Sequence, residues 1–255
     1  MPRQIRIEYE GALYHVMSRG DHREAIVQDE KDRAMWIHTL AGACTKCDWQ
    51  VHAYCLMTNH FHLVMETPSA NLVSGMKWLL GTYTVRFNRR HQLRGHLFAG
   101  RYKSLLIDES DSYYLRVACD YVHLNPARAG LIEEGQRLAD YPWSSYPAYL
   151  GAASDRPSWL RTDRLLGEHG MEQDTRRARL EFSRRMESAR ASANDAGTND
   201  QILRRSWRLG GEAFQARLLD RMEGKLSEHH IARERSETAE MKAERIIQSA
   251  LHEIG

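Results

Sequence analysis

Residues Val51 to Glu66 read VHAYCLMTNHFHLVME. Two apolar runs, Val51 to Met57 and Phe61 to Met65, flank the polar pair Thr58 and Asn59, and asparagine tolerates the left-handed backbone that a tight turn requires. The stretch therefore predicts a β-hairpin. Side chains alternate along a strand, so His60 and His62 share one face, roughly 7 Å apart, while Phe61 and Leu63 point the other way toward a core. Neutral imidazole is the commonest metal ligand, and two on one rigid face can share a divalent cation and leave further coordination positions open. Two surface histidines on a half-solvated sheet would give the same pattern, and the His-x-His spacing alone does not separate the readings.

Outward from the hairpin the elements alternate in type. Ala12 to Ser18 is an alternating, β-rich run closed by the turn signal Arg19-Gly20-Asp21, which predicts a first strand. Asp29 to Cys47 carries Trp36, Ile37, Leu40, Ala41 and Cys44 at helical spacing behind an acidic start. After the hairpin, Asn71 is set to cap a helix whose apolar face runs from Leu72 to Phe87, and Leu97 to Ile107 reads as a further strand. A helix follows from Asp108 to Val122 and is expected to end near Asn125 and Pro126, because proline disrupts helical hydrogen bonding. This order predicts an α+β fold, a ferredoxin-like antiparallel sheet with helices on one face. Beyond Gly151 the composition shifts. An Arg/Glu-rich helical extension (152–188), a small-residue polar linker (189–200) and a helical C-terminal segment (201–255) are expected behind a main domain over residues 1–151. In the last segment, Gly211 to Gly224 and Glu237 to Ile254 have amphipathic helical patterns.

With 42% hydrophobic residues in 255, the chain can bury a substantial core. Its first residues lack the apolar core of a signal peptide and no stretch approaches 18 apolar residues, so a soluble cytoplasmic protein is expected. Cys44 and Cys47 have ligand spacing but no second pair, and a helix end packed on the sheet explains them equally well. Net charge is only +2, yet Thr67 to Ile107 holds no acidic residue and seven basic ones: Lys77, Arg86, Arg89, Arg90, Arg94, Arg101 and Lys103. That asymmetry reads either as a phosphate-binding footprint, with Tyr83, Phe87, His91, Phe98 and Tyr102 as base-stacking platforms, or as a solvated helix face. Tyr121 and Asn125 fall four apart, which puts a phenol and an amide on one helix face, or equally a core tyrosine beside a helix-terminal asparagine.

Four stretches together add a resemblance. TNHFHLV (58–64) is similar to the His-hydrophobic-His motif of HUH single-strand nucleases, and DYVHLNP (120–126) resembles the tyrosine motif of REP-associated tyrosine transposases, relatives of the single-tyrosine insertion-sequence transposases. GHLFAGRYK (95–103) and YPWSSY (141–146) resemble the same family in the same order, over about Gly11 to Gly151. The resemblance implies that His60, His62 and Asn125 hold a divalent cation, Mg²⁺ or Mn²⁺, and that Tyr121 is the nucleophile. It implies a substrate of single-stranded DNA at a REP-like palindromic hairpin, cleaved and rejoined through a 5′-phosphotyrosine. Longer members carry a C-terminal helix-turn-helix, which the resemblance leads one to expect absent or cut short here. Three activities remain distinguishable: a DNA strand transferase, a hairpin-binding module without chemistry, and a metal-dependent nuclease that uses water.

Overall fold

The computed structural model describes residues 6–192 and 208–223. Five strands form one sheet in the order β2-β3-β1-β4-β5. They are β1 (Ala12–Arg19), β2 (Gln50–Leu56), β3 (His60–Thr67), β4 (Lys103–Ile107) and the two-residue β5 (Arg208–Leu209). The first four are antiparallel to their neighbours and β5 runs parallel to β4. With α1 (Glu30–Cys47) between β1 and β2, and α2 (Leu72–His91) between β3 and β4, this is the expected ferredoxin-like α+β arrangement.

Local chemistry explains where most elements start and stop. Asp29 caps α1 by accepting from Asp32 N, and the helix ends with Asp48 in the left-handed region. Thr58 and Asn59 form the hairpin turn, closed by Met57 N donating to His60 O at 2.8 Å. Asn71 stands at the α2 N-cap position but makes no capping bond. Its amide instead accepts from Trp49 Nε1 and donates to Cys47 O, tying the end of α1 to the start of α2. There Gly75 is obligatory, since a Cβ would lie 2.1 Å from the Trp49 ring. The strand expected over Leu97–Ile107 is shortened to β4, because Gly100 takes φ +52 and interrupts extended backbone.

The sheet is covered on both faces. Trp36 of α1 lies against Tyr54 and Phe61, and Tyr83 of α2 against Phe98. The opposite face, which carries Leu13, Ala53, Cys55, Val64, Leu105 and Ile107, packs on α3 (Ser112–Arg128). Helices on one face therefore describes α1 and α2 only. Helix α3 also runs through Pro126 rather than stopping before it. Proline in the final turn forfeits a single backbone bond, and Ala129 N still reaches Asn125 O at 3.0 Å.

Helices α4 (Tyr146–Leu150), α5 (Asp163–Glu168) and α6 (Arg176–Ser192) belong to the same packing. Ser145 N donates to Tyr54 O, Leu56 N to Trp143 O, and Arg161 N to Val51 O, so two later segments satisfy the outer edge of β2. Phe182 of α6 is fully buried among Tyr146, Tyr149, His123 and His169. One compact unit thus spans Glu8–Leu209, and the division expected at residue 151 is not a break in packing. Residues 189–192, expected to open the linker, complete α6, and the rest of that stretch lies outside the described residues. A second unit takes in residues 1–7 and 210–255. Its described part includes α7 (Glu212–Glu223), with Phe214, Leu218 and Leu219 buried. The amphipathic pattern over Glu237 to Ile254 lies outside the described residues.

Candidate active site

Strand registry puts His60 and His62 on the sheet face that α3 covers. Pairing of β1 with β3 sets Arg19 opposite His60 and Met17 opposite His62, so these side chains share that face with His15. Lys103 pairs with Met17 and joins them. Far from a half-solvated surface, His62 is only 3% exposed and His15 5%.

Three rings and a phenol meet there. His60 and His62 have centroids 5.1 Å apart and lie edge to face. His15 Nε2 is 2.9 Å from His62 Nδ1, with the two ring planes only 13° apart. Tyr121 of α3 presents its ring edge-on to both His15 and His62, at 5.8 Å from each. The structure thus brings Tyr121 together with the histidine pair, which spacing along the chain could not establish. Asn125, one turn later, is buried and donates Nδ2 to Tyr121 O at 3.2 Å, which leaves its Oδ1 as the acceptor end of the amide. Arg128, a further residue without a cue in the sequence, lays its guanidinium 4.8 Å from the Tyr121 ring centroid.

The donor chemistry suits a divalent cation. Asn59 Oδ1 can only accept, so its 2.7 Å contact requires the proton on His60 Nδ1 and leaves the lone pair on Nε2, the atom that could coordinate a metal. Burial, with Arg19 nearby, holds His60 down to about 4, and burial alone holds His15 down to about 4, so both are neutral near pH 7. Among the described residues no three His, Cys, Asp or Glu side chains converge on a possible metal position. A cation here would therefore rest on two imidazoles, a neutral oxygen such as Asn125 Oδ1, and oxygens of solvent or substrate.

The basic stretch divides. Arg90 is clamped by Asp29 and by Asp32, whose side chain is fully buried, and Arg86 donates to Thr39 Oγ1. Both are tied to the α1 region, on the other face of the sheet from Tyr121. Lys77 and Arg89 are exposed on α2 in that same far layer. Arg94, Arg101 and Lys103 are exposed in or just after the 92–102 loop. Backbone bonds from Asp21 N to Leu97 O and from Ala99 N to Arg19 O pin that loop to the end of β1 beside His60. Of the residues read as stacking platforms, Tyr83, Phe87, Phe98 and Tyr102 are buried in the core, while His91 is half-buried and paired with Asp32. Cys44 and Cys47 are buried free thiols at the end of α1, and burial pushes the Cys44 thiol up to about 12.

Residues 8–125 match the family model for IS200-like transposases. The matched stretch takes in the hairpin and most of α3, so this part of the chain is similar to that family. Two solved structures are similar. A REP-associated tyrosine transposase bound to a REP hairpin is 16% identical, covering 58% of this chain and 84% of its own, with a TM-score of 0.48. A candidate transposase from Deinococcus radiodurans is 20% identical, covering 42% and 87%, with a TM-score of 0.34. No curated protein matches the chain. No described helix is long and apolar enough to cross a membrane.

Proposed function

We propose that this chain is a divalent-metal-dependent single-strand DNA endonuclease and strand transferase that acts at REP-like hairpins, with Tyr121 as nucleophile. The observation that carries the reading is the Tyr121 ring set against His62 at 5.8 Å, with His60 beside His62 on the same sheet face. His60, His62 and Asn125 would hold the cation, and Mg²⁺ or Mn²⁺ bound there would polarise the scissile phosphate and stabilise its developing charge. Tyr121 Oη would form a bond to phosphorus as the P–O3′ bond breaks, giving a 5′-phosphotyrosine and a free 3′-OH. One phosphodiester replaces another, so a 3′-OH can reverse the step without ATP. Arg128 brings a positive charge to the attacking side chain. Arg19, Arg94, Arg101 and Lys103, at the His60 end of the sheet, would hold the strand through its phosphates.

The test is incubation of the full chain with labelled single-stranded hairpins and Mn²⁺, followed by denaturing electrophoresis. Wild type should give a denaturant-resistant adduct and Tyr121→Phe none, since that change removes one oxygen and keeps the ring's packing. Equal adduct from Tyr121→Phe refutes the nucleophile. Cleavage by wild type without any adduct replaces the transferase by a water-using nuclease, and binding without cleavage leaves a hairpin-binding module.

A further inference from the structure

His15 stands on the central part of β1, one strand away from the histidine pair, in a position with no spacing cue to either. Its partner across the sheet is Val64, yet its side chain reaches diagonally to His62. The 2.9 Å contact joins nitrogens of two nearly coplanar rings, so it is an in-plane hydrogen bond between imidazoles. Both rings are buried, and β1 is paired on both sides, with β3 and with β4. His62 therefore meets a partner that the sheet itself holds still.

We propose that His15 is a positioning residue for the cation site, an inference that rests on the reading of His60 and His62 as ligands. In a neutral pair one ring donates and the other accepts. With His62 read as a ligand through Nε2, its Nδ1 carries the proton and His15 Nε2 is the acceptor of the 2.9 Å bond, a pairing that holds His62 in that tautomer. Asn59 does the same for His60 through Oδ1 at 2.7 Å. The two ligands thus have separate orienting partners, an amide in the turn and an imidazole on the neighbouring strand, and both present the same ring atom. His15 also touches the Tyr121 ring, so the group that aims His62 forms part of the wall against which the nucleophile packs.

Two measurements on the full chain test this, and neither depends on DNA cleavage. Nitrogen-15 NMR of the imidazoles without metal should show His62 and His60 both protonated at Nδ1; His62 protonated at Nε2 overturns the assignment. Mn²⁺ affinity, by calorimetry or electron paramagnetic resonance, should fall about 10- to 100-fold in His15→Leu, the usual loss when an orienting partner is removed. His15→Gln should recover most of it, since the Gln Oε1 reaches where His Nε2 stood, whereas His15→Asn is too short and should not. If His15→Leu fails to fold, the Gln and Asn pair decides. Wild-type binding with equal affinity in Gln, Asn and Leu variants overturns the role of His15 and leaves the proposed function standing. No Mn²⁺ binding by wild type overturns both.

Discussion

Replacing Phe182 with alanine probes whether the segment beyond residue 151 is part of the machinery. The ring is fully buried, 5.0 Å from His169, 5.4 Å from Tyr149, 5.8 Å from Tyr146 and 6.3 Å from His123. Truncating such a phenylalanine costs about 3–5 kcal/mol in transfer energy and residual cavity. A domain with a total stability of about 5–15 kcal/mol would lose a large share of it. At a urea dependence of roughly 2.5 kcal/mol per molar, the unfolding midpoint should drop by about 1–2 M. Leu180 on the same helix is 63% exposed, so Leu180→Ala is the control and should stay within about 0.5 kcal/mol of wild type. Urea unfolding followed by circular dichroism reads both. A Phe182→Ala midpoint equal to that of Leu180→Ala would refute the packing of α6 on α3. By the same reasoning, a chain cut after Gly151 should not fold as an independent core, because it strips Arg161 from Val51 and His169 from Asp120.

Two further outcomes follow from the charges. Arg90→Ala leaves the buried Asp32 side chain with His91 and Gln28 N but without its guanidinium, so it should destabilise the fold and leave the salt dependence of DNA binding unchanged. Lys103→Ala should do the reverse, sparing the midpoint and lowering the slope of log affinity against log salt by roughly 0.7; identical behaviour of the two variants would sink the division of the basic stretch. Burial holds His15 at about 4 and His123 at about 3, against about 6.5 in the unfolded chain. The unfolded state therefore binds more protons below pH 6.5, and stability should be level above that pH and decline by about 4 kcal/mol for the pair by pH 5. Urea midpoints that do not move between pH 7.5 and 5 would contradict it.

What could be read from the chain was whatever has a local cause. The hairpin came from its Thr58-Asn59 break, α1 from its Asp29 cap and apolar period, and the ferredoxin-like order from the succession of elements. What could not be read depends on distant partners. Arg86 and Arg90 looked like a basic patch because their stretch holds no acid, but Arg90's counter-charges are Asp29 and Asp32, about sixty residues earlier. Tyr83 and Phe87 looked available for bases, though they continue the face of Leu79 and so belonged to the core by helical spacing. His15 had no motif around it, and only the pairing of β1 with β3 brings it to His62. The covering of the second face by α3 and α6 was equally invisible, since a strand buried on both sides does not announce what buries it.

The two halves of the site are held by different forces, and that has consequences for how each fails. His15, His60 and His62 sit on strands whose backbones are paired on both sides, so their separation is set by the sheet ladder itself. Tyr121 sits on a helix whose position is set by side chains: His123 Nε2 on Ser145 Oγ at 2.9 Å, His169 Nε2 on Asp120 Oδ1 at 2.9 Å, and the Phe182 ring beneath. Loosening α6 therefore lets Tyr121 drift while the imidazoles stay in register. Because a displacement of about 1 Å at a reacting atom can cost about a hundredfold in rate, Phe182→Ala should lose adduct formation at urea concentrations where its Mn²⁺ affinity is still that of wild type. Parallel loss of both would mean that α6 supports the sheet rather than the helix that carries Tyr121.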